Sequence, residues 1–136
     1  MQHLEDELPF DVPQEAKLSF KGVCLQNGIL DLSSRKMNAI APYLIEKDWK
    51  KTSYAECLSP KTYAKMLPPC LLVTSITDAH KRDTNQLAWQ LKLKGTRYSV
   101  HSANNLFTKE SFAARHPETR YAQAANTAML AFFENK

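Results

Sequence analysis

The sequence has little glycine: three residues in 136, at Gly22, Gly28 and Gly95, with no Walker loop among them. Cysteine is equally sparse. Cys24, Cys57 and Cys70 form no Cys-x-x-Cys pair, which excludes a zinc knuckle or a dithiol redox pair. Cys24 and Cys70 sit in apolar runs and read as small buried hydrophobes, while Cys57 falls in a loop. The histidines are scattered without a local acidic ligand pattern, so neither a metal nor a cofactor is expected. No apolar run is long enough to cross a bilayer, and Met1 to Glu7 has neither the basic start nor the apolar stretch of a signal peptide. The expected location is cytoplasmic, with no membrane partner.

What remains is ordinary globular material, 43% hydrophobic and 24% charged, and the length suits one domain with a real core. The net charge of +4 invites a nucleic-acid reading. The basic residues oppose it, because they fall in short separate patches: Lys47, Lys50 and Lys51; Lys81 and Arg82; Lys92, Lys94 and Arg97. Solvated faces explain such patches better than a phosphate-contact surface, so no nucleic-acid partner is expected.

Pro9 and Pro13 make residues 1–18 a connector. Phe20 to Gln26 reads as a strand ending at Asn27-Gly28. Residues 35–60 carry only weak helical patterning. Met37, Ile40, Tyr43 and Leu44 suggest one short apolar face, and Pro42 either interrupts it or marks a new start. Asp48 to Leu58 suggests a second short helix, and Ser59-Pro60 a turn. Pro68-Pro69 then sets the chain extended before Cys70 to Thr74, whose unbroken apolar character predicts a central parallel strand. A helix capped by Asp83 or Thr84 runs to Gly95, with Leu87 and Leu91 on one face and Trp89 in the core or against a partner. Thr96 to His101 makes a third strand. After a long loop, a final helix starts near Pro117 or Glu118, with Tyr121, Ala125, Ala128, Met129 and Phe132 as its buried stripe.

Strand–helix–strand order implies a parallel sheet, here of about three strands with flanking helices. Three strands are few for such a sheet, and a further element pair or a second copy of the chain would complete it.

The segments Phe20 to Leu25, Asn27 to Leu32, Leu67 to Asp78, the helix ending at Gly95, Tyr98, and Phe112 with the helix through Phe133 follow one another in a familiar series. In that order they resemble the C-terminal half of an α/β-hydrolase of the hormone-sensitive-lipase-like esterase family. The resemblance implies an incomplete α/β-hydrolase-like domain over residues 19–136, with 35–60 as a cap-like helical excursion.

Ester hydrolysis of that kind needs a serine activated by a histidine, and an acid that orients the histidine. The resemblance puts the acid at Asp78, in the loop after the central strand; a turn residue is the alternative. Asp83 is a second acid nearby, better explained as a helix cap. The position the family gives to histidine holds Glu110, and a carboxylate is a weak base that would repel Asp78. His101, at a strand end, is the reserve candidate, and His116 before Pro117 is read as a loop or surface residue. No Gly-x-Ser-x-Gly elbow can be assembled, and Ser75 lacks its flanking glycines. The expectation is a hydrolase-like domain without independent catalysis. The alternatives are a self-associating module, a homodimer through the edge beside Phe20 to Leu25, and one half of an esterase completed by a serine-bearing chain.

Overall fold

The computed structural model describes residues 20–31, 41–44, 59–106 and 112–134. The connector 1–18, most of the excursion at 35–60, Cys57 and Glu110 lie outside them. Strands β1 (Val23–Gln26), β2 (Cys70–Ser75) and β3 (Tyr98–Ala103) form one parallel sheet in the order β1-β2-β3. The helices are α1 (Ala41–Leu44), α2 (Lys81–Lys94), α3 (Phe112–Arg115) and α4 (Arg120–Glu134), with a 3-10 turn at Pro60–Tyr63. This is an incomplete α/β-hydrolase-like core: three parallel strands, not closed into a barrel, between flanking helices.

β2 is central because its side chains are apolar in both directions, and all six of its residues are buried. Cys70 and Leu72 point into one core with Leu30, Ala64, Leu87 and Leu91. Leu71 and Val73 point into the other with Ala103, Phe112, Ala113, Ala122 and Ala125. The sheet therefore carries α2 on one face and α3 with α4 on the other.

Several boundaries differ from the sequence reading, each for a hydrogen-bonding reason. β1 begins at Val23 rather than Phe20, which is 63% exposed. β3 runs from Tyr98 to Ala103, two residues later than expected. Thr96 belongs to the exit of α2: its N–H donates to the Leu91 carbonyl, and its hydroxyl donates to the Ala64 carbonyl at 2.6 Å. Gly95 takes the left-handed conformation, φ 72°, that ends a helix without a Cβ penalty.

α2 starts at Lys81, with His80 at its cap position, so Asp83 and Thr84 lie inside its first turn rather than at its cap. The Asp78 carboxylate accepts the His80 N–H at 2.8 Å and sets up the turn before the helix. α4 starts at Arg120 because the Thr119 hydroxyl accepts the Ala122 N–H at 3.3 Å, the reach of an N-cap side chain to the third helical residue. A short helix, α3, occupies part of the stretch read as a long loop, and buries Phe112 and Ala113.

Trp89 is 58% exposed, not a core residue, since it sits two positions out of phase with Leu87 and Leu91. Tyr43 is 89% exposed and adds nothing to an apolar face, while Pro42 stands in the first turn of α1 as a new start. Asp48 to Leu58 lies outside the described residues. Of the stripe read on α4, Ala125 is fully buried and Tyr121, Met129 and Phe132 pack against the same core, whereas Ala128 is only half-buried beside it and the fully buried Ala122 was not part of the reading.

Candidate functional site

In parallel sheets the groups that face ligands gather at the carboxyl ends of the strands. At the end of β2 lies Asp78, 7% exposed. One carboxylate oxygen accepts the Thr74 hydroxyl at 2.6 Å, and the other accepts the His80 N–H at 2.8 Å. Its own N–H donates to the Ser75 carbonyl, and its carbonyl accepts the Lys81 N–H. Side chain and backbone thus pin one loop between β2 and α2. Thr74, 1% exposed, was not singled out from the sequence; its signal is a hydroxyl four residues before the acid, at the last turn of an apolar strand.

His101 is not in that loop. It pairs in register with Val73, so its side chain shares the sheet face that carries α4, and no hydrogen bond or ion pair joins it to Asp78. His116 is exposed on the turn before α4, with its Nδ1 3.4 Å from a Glu118 oxygen. His80 lies beside Asp83, Nδ1 to Oδ2 3.9 Å, beyond hydrogen-bonding distance. Ser75 is fully buried at the strand end, unlike a nucleophile raised on an exposed elbow. Glu110 lies outside the described residues, and among the described ones no imidazole is hydrogen-bonded to Asp78.

Asn27, at the carboxyl end of β1, also escaped the sequence reading. It is 8% exposed, has φ 46°, and neither its side-chain oxygen nor its side-chain nitrogen has a hydrogen-bond partner. The Asn-Gly pair signalled the end of the strand, which is there, but gave no hint of a buried amide. Its main-chain N–H donates to the Val73 carbonyl, which places it beside Thr74 in the sheet.

A cleft of about 670 Å³ lies elsewhere, on the outer side of α2 between Lys61, Lys81, Arg82, Asn85 and Trp89. It contains neither Asp78 nor His101. No group of three or more His, Cys, Asp or Glu side chains suited to a metal ion occurs among the described residues. No helix among them is long and apolar enough to cross a membrane.

Among the described residues neither thiol, Cys24 or Cys70, suits nucleophilic chemistry. Burial pushes the Cys70 thiol up to about 11, and it donates to the Pro68 carbonyl; burial also raises Cys24, which is half-exposed by comparison. We expect a thiol reagent at pH 8 to leave Cys70 unmodified in the folded chain and to label it fully in denaturant, as read by peptide mass mapping. Rapid native labelling of Cys70 would contradict the packing of β2.

No family model matches the sequence, and no curated protein does. Solved structures do. The inhibited esterase B from Lactobacillus rhamnosis superimposes with a TM-score of 0.74 at 19% identity, covering 88% of this chain and 42% of that one. The esterase EstE5, in a structure with PMSF, gives a TM-score of 0.65 at 16% identity over 98% of this chain and 46% of its own. An acylaminoacyl peptidase in complex with Z-Gly-Gly-Phe-chloromethyl ketone gives 0.63 at 19% identity over 85% of this chain and 20% of its own. The fold is therefore that of the α/β-hydrolases. The chain spans less than half the length of each of these proteins, and at such identities the likeness defines the fold and nothing narrower.

Proposed function

We propose that this chain is the acid-bearing C-terminal half of a carboxylic-ester hydrolase fold, of the hormone-sensitive-lipase-like kind, and that it has no turnover by itself. The observation that carries this reading is the setting of Asp78. It is a buried carboxylate at the end of the central strand, held by Thr74 and His80, with no imidazole bonded to it among the described residues. An acid in such a place can orient a histidine, but acyl transfer also needs the histidine and an activated serine. Glu110 stands at the position expected for histidine, and these 136 residues contain no Gly-x-Ser-x-Gly, which supports the absence of turnover by this chain alone. The proposal includes a cytoplasmic location.

The purified chain is expected to hydrolyse p-nitrophenyl butyrate no faster than a heat-treated control. Robust turnover that Asp78→Asn abolishes would sink the proposal.

A second reading is favoured by the sheet edge. Among the described residues β1 pairs only with β2, and at its carboxyl end the Gln26 Nε2 and both polar side-chain atoms of Asn27 are buried with no hydrogen-bond partner. On this reading the edge accepts a second copy of the chain, or a serine-bearing complementary half. Light scattering that shows a monodisperse monomer across micromolar concentrations would refute the homodimer. In a complex with a serine-bearing chain, absence of labelling by a fluorophosphonate would refute the completed esterase.

A further inference from the structure

On the face of the sheet covered by α4 there is a groove of about 320 Å³ that the reading above does not use. Its position follows from the register. Leu71 pairs with Ser99 and Val73 with His101, so Arg97, Ser99 and His101 stand in a row along that face. Leu71, 3% exposed, is the floor. The opposite wall is α4, where Ala128 and Ala131 keep the helix surface low and Phe132 stands beside them.

That wall is built rather than incidental. A Cβ on Gly22 would lie 2.9 Å from Phe132 Cε1, so the ring packs against the glycine and would have to move aside for a side chain there. Phe133 meets the same ring edge-on, with centroids 5.1 Å apart. The row facing it is polar and cationic. No carboxylate lines the groove among the described residues, and no hydrogen bond or ion pair engages the Arg97 guanidinium or the His101 imidazole there. A cleft with a fork of N–H donors on one side and aliphatic and aromatic carbon on the other matches an amphiphilic anion. Its volume is at the lower end for small-molecule sites, which favours a short chain.

We propose that the groove between β3 and α4 binds a small amphiphilic carboxylate, its head group on Arg97 and Ser99 and its alkyl chain along Leu71, Ala128, Ala131 and Phe132. The guanidinium supplies two parallel N–H donors to the carboxylate, and the Ser99 hydroxyl supplies a third. His101 lines the same groove, which gives this reserve catalytic candidate a place in a binding site instead. The proposal does not depend on the hydrolase reading, since the groove excludes Asp78.

Titration of the full chain with hexanoate, followed by amide proton–nitrogen correlation spectra, tests it. Saturable shifts are expected at residues 97–101 and 128–132. Hexan-1-ol should bind about tenfold more weakly, and so should hexanoate to Arg97→Gln, because each loses the charge-assisted pair. Arg97 is exposed, so that variant should keep the parent circular dichroism spectrum. Ala131→Leu fills the groove and should abolish the shifts. Equal binding of hexan-1-ol, unchanged binding by Arg97→Gln, or shifts scattered over the surface would each overturn the assignment.

Discussion

Leu72→Ala should lower the stability of the chain by about 2–5 kcal/mol, the range for truncating a fully buried leucine. Leu72 has no exposed surface and stands midway along β2, paired in register with Leu25 on one side and Val100 on the other. Its side chain fills the core beneath α2 with Leu87 and Leu91. Both sheet neighbours and the helix are tied by other contacts, so the space left behind cannot collapse freely. Small domains have only about 5–15 kcal/mol of total stability, so this single change removes a large share of it. With an ordinary urea dependence the unfolding midpoint should fall by roughly 1–2 M. Val100→Ala is the control. Val100 is 46% exposed on the same face of the sheet's edge strand, and the change should cost less than about 1 kcal/mol. Similar losses for the two variants would show that β2 is not the centre of the core.

The contrast between Leu72 and Val100 also explains which parts of the fold were legible in the sequence. β2 could be read because a strand covered on both faces is apolar without interruption, from Cys70 through Val73. α4 could be read because Tyr121, Ala125, Met129 and Phe132 recur at helical spacing on one buried side. β3 was read two residues too early because it is an edge strand with little burial, so no apolar pattern marks its ends. The helix starts were misplaced for another reason. Thr119, Asp83, Thr84 and Asp78 are all able to accept a backbone N–H, and only the three-dimensional turn decides which of them does. The same limit applies to the candidate site. The loop position of Asp78 follows from the strand before it, whereas its bond to Thr74 and the unpartnered amide of Asn27 depend on packing between strands distant in sequence.

Asp78→Ala should cost about 2–4 kcal/mol even where the chain has no activity to lose, because it strips acceptors from one buried and one half-buried donor at once. The Thr74 hydroxyl is 1% exposed and gives its hydrogen bond to one oxygen; the His80 N–H gives its own to the other. Asp78→Asn keeps one oxygen for the His80 amide and should cost less, about 1–2 kcal/mol. Thr74→Val removes the other partner alone, and a double-mutant cycle with Asp78→Asn should return a coupling of about 0.5–3 kcal/mol. Denaturant melts of the four proteins measure it; a coupling of zero would mean that the Thr74–Asp78 bond does not hold the loop. These energies bear directly on function. A carboxylate has about four lone-pair sites, and two donors leave room for a third. An imidazole N–H arriving from elsewhere therefore need not displace Thr74 or His80, and the loop can be fully stable and still be open to one more partner. Loss of activity in Asp78→Ala, in any complex that hydrolyses esters, would mix unfolding with chemistry. Asp78→Asn keeps the loop and removes the charge that stabilises a histidine cation, so a large loss of rate with a small loss of stability is the result that separates an orienting acid from a turn residue.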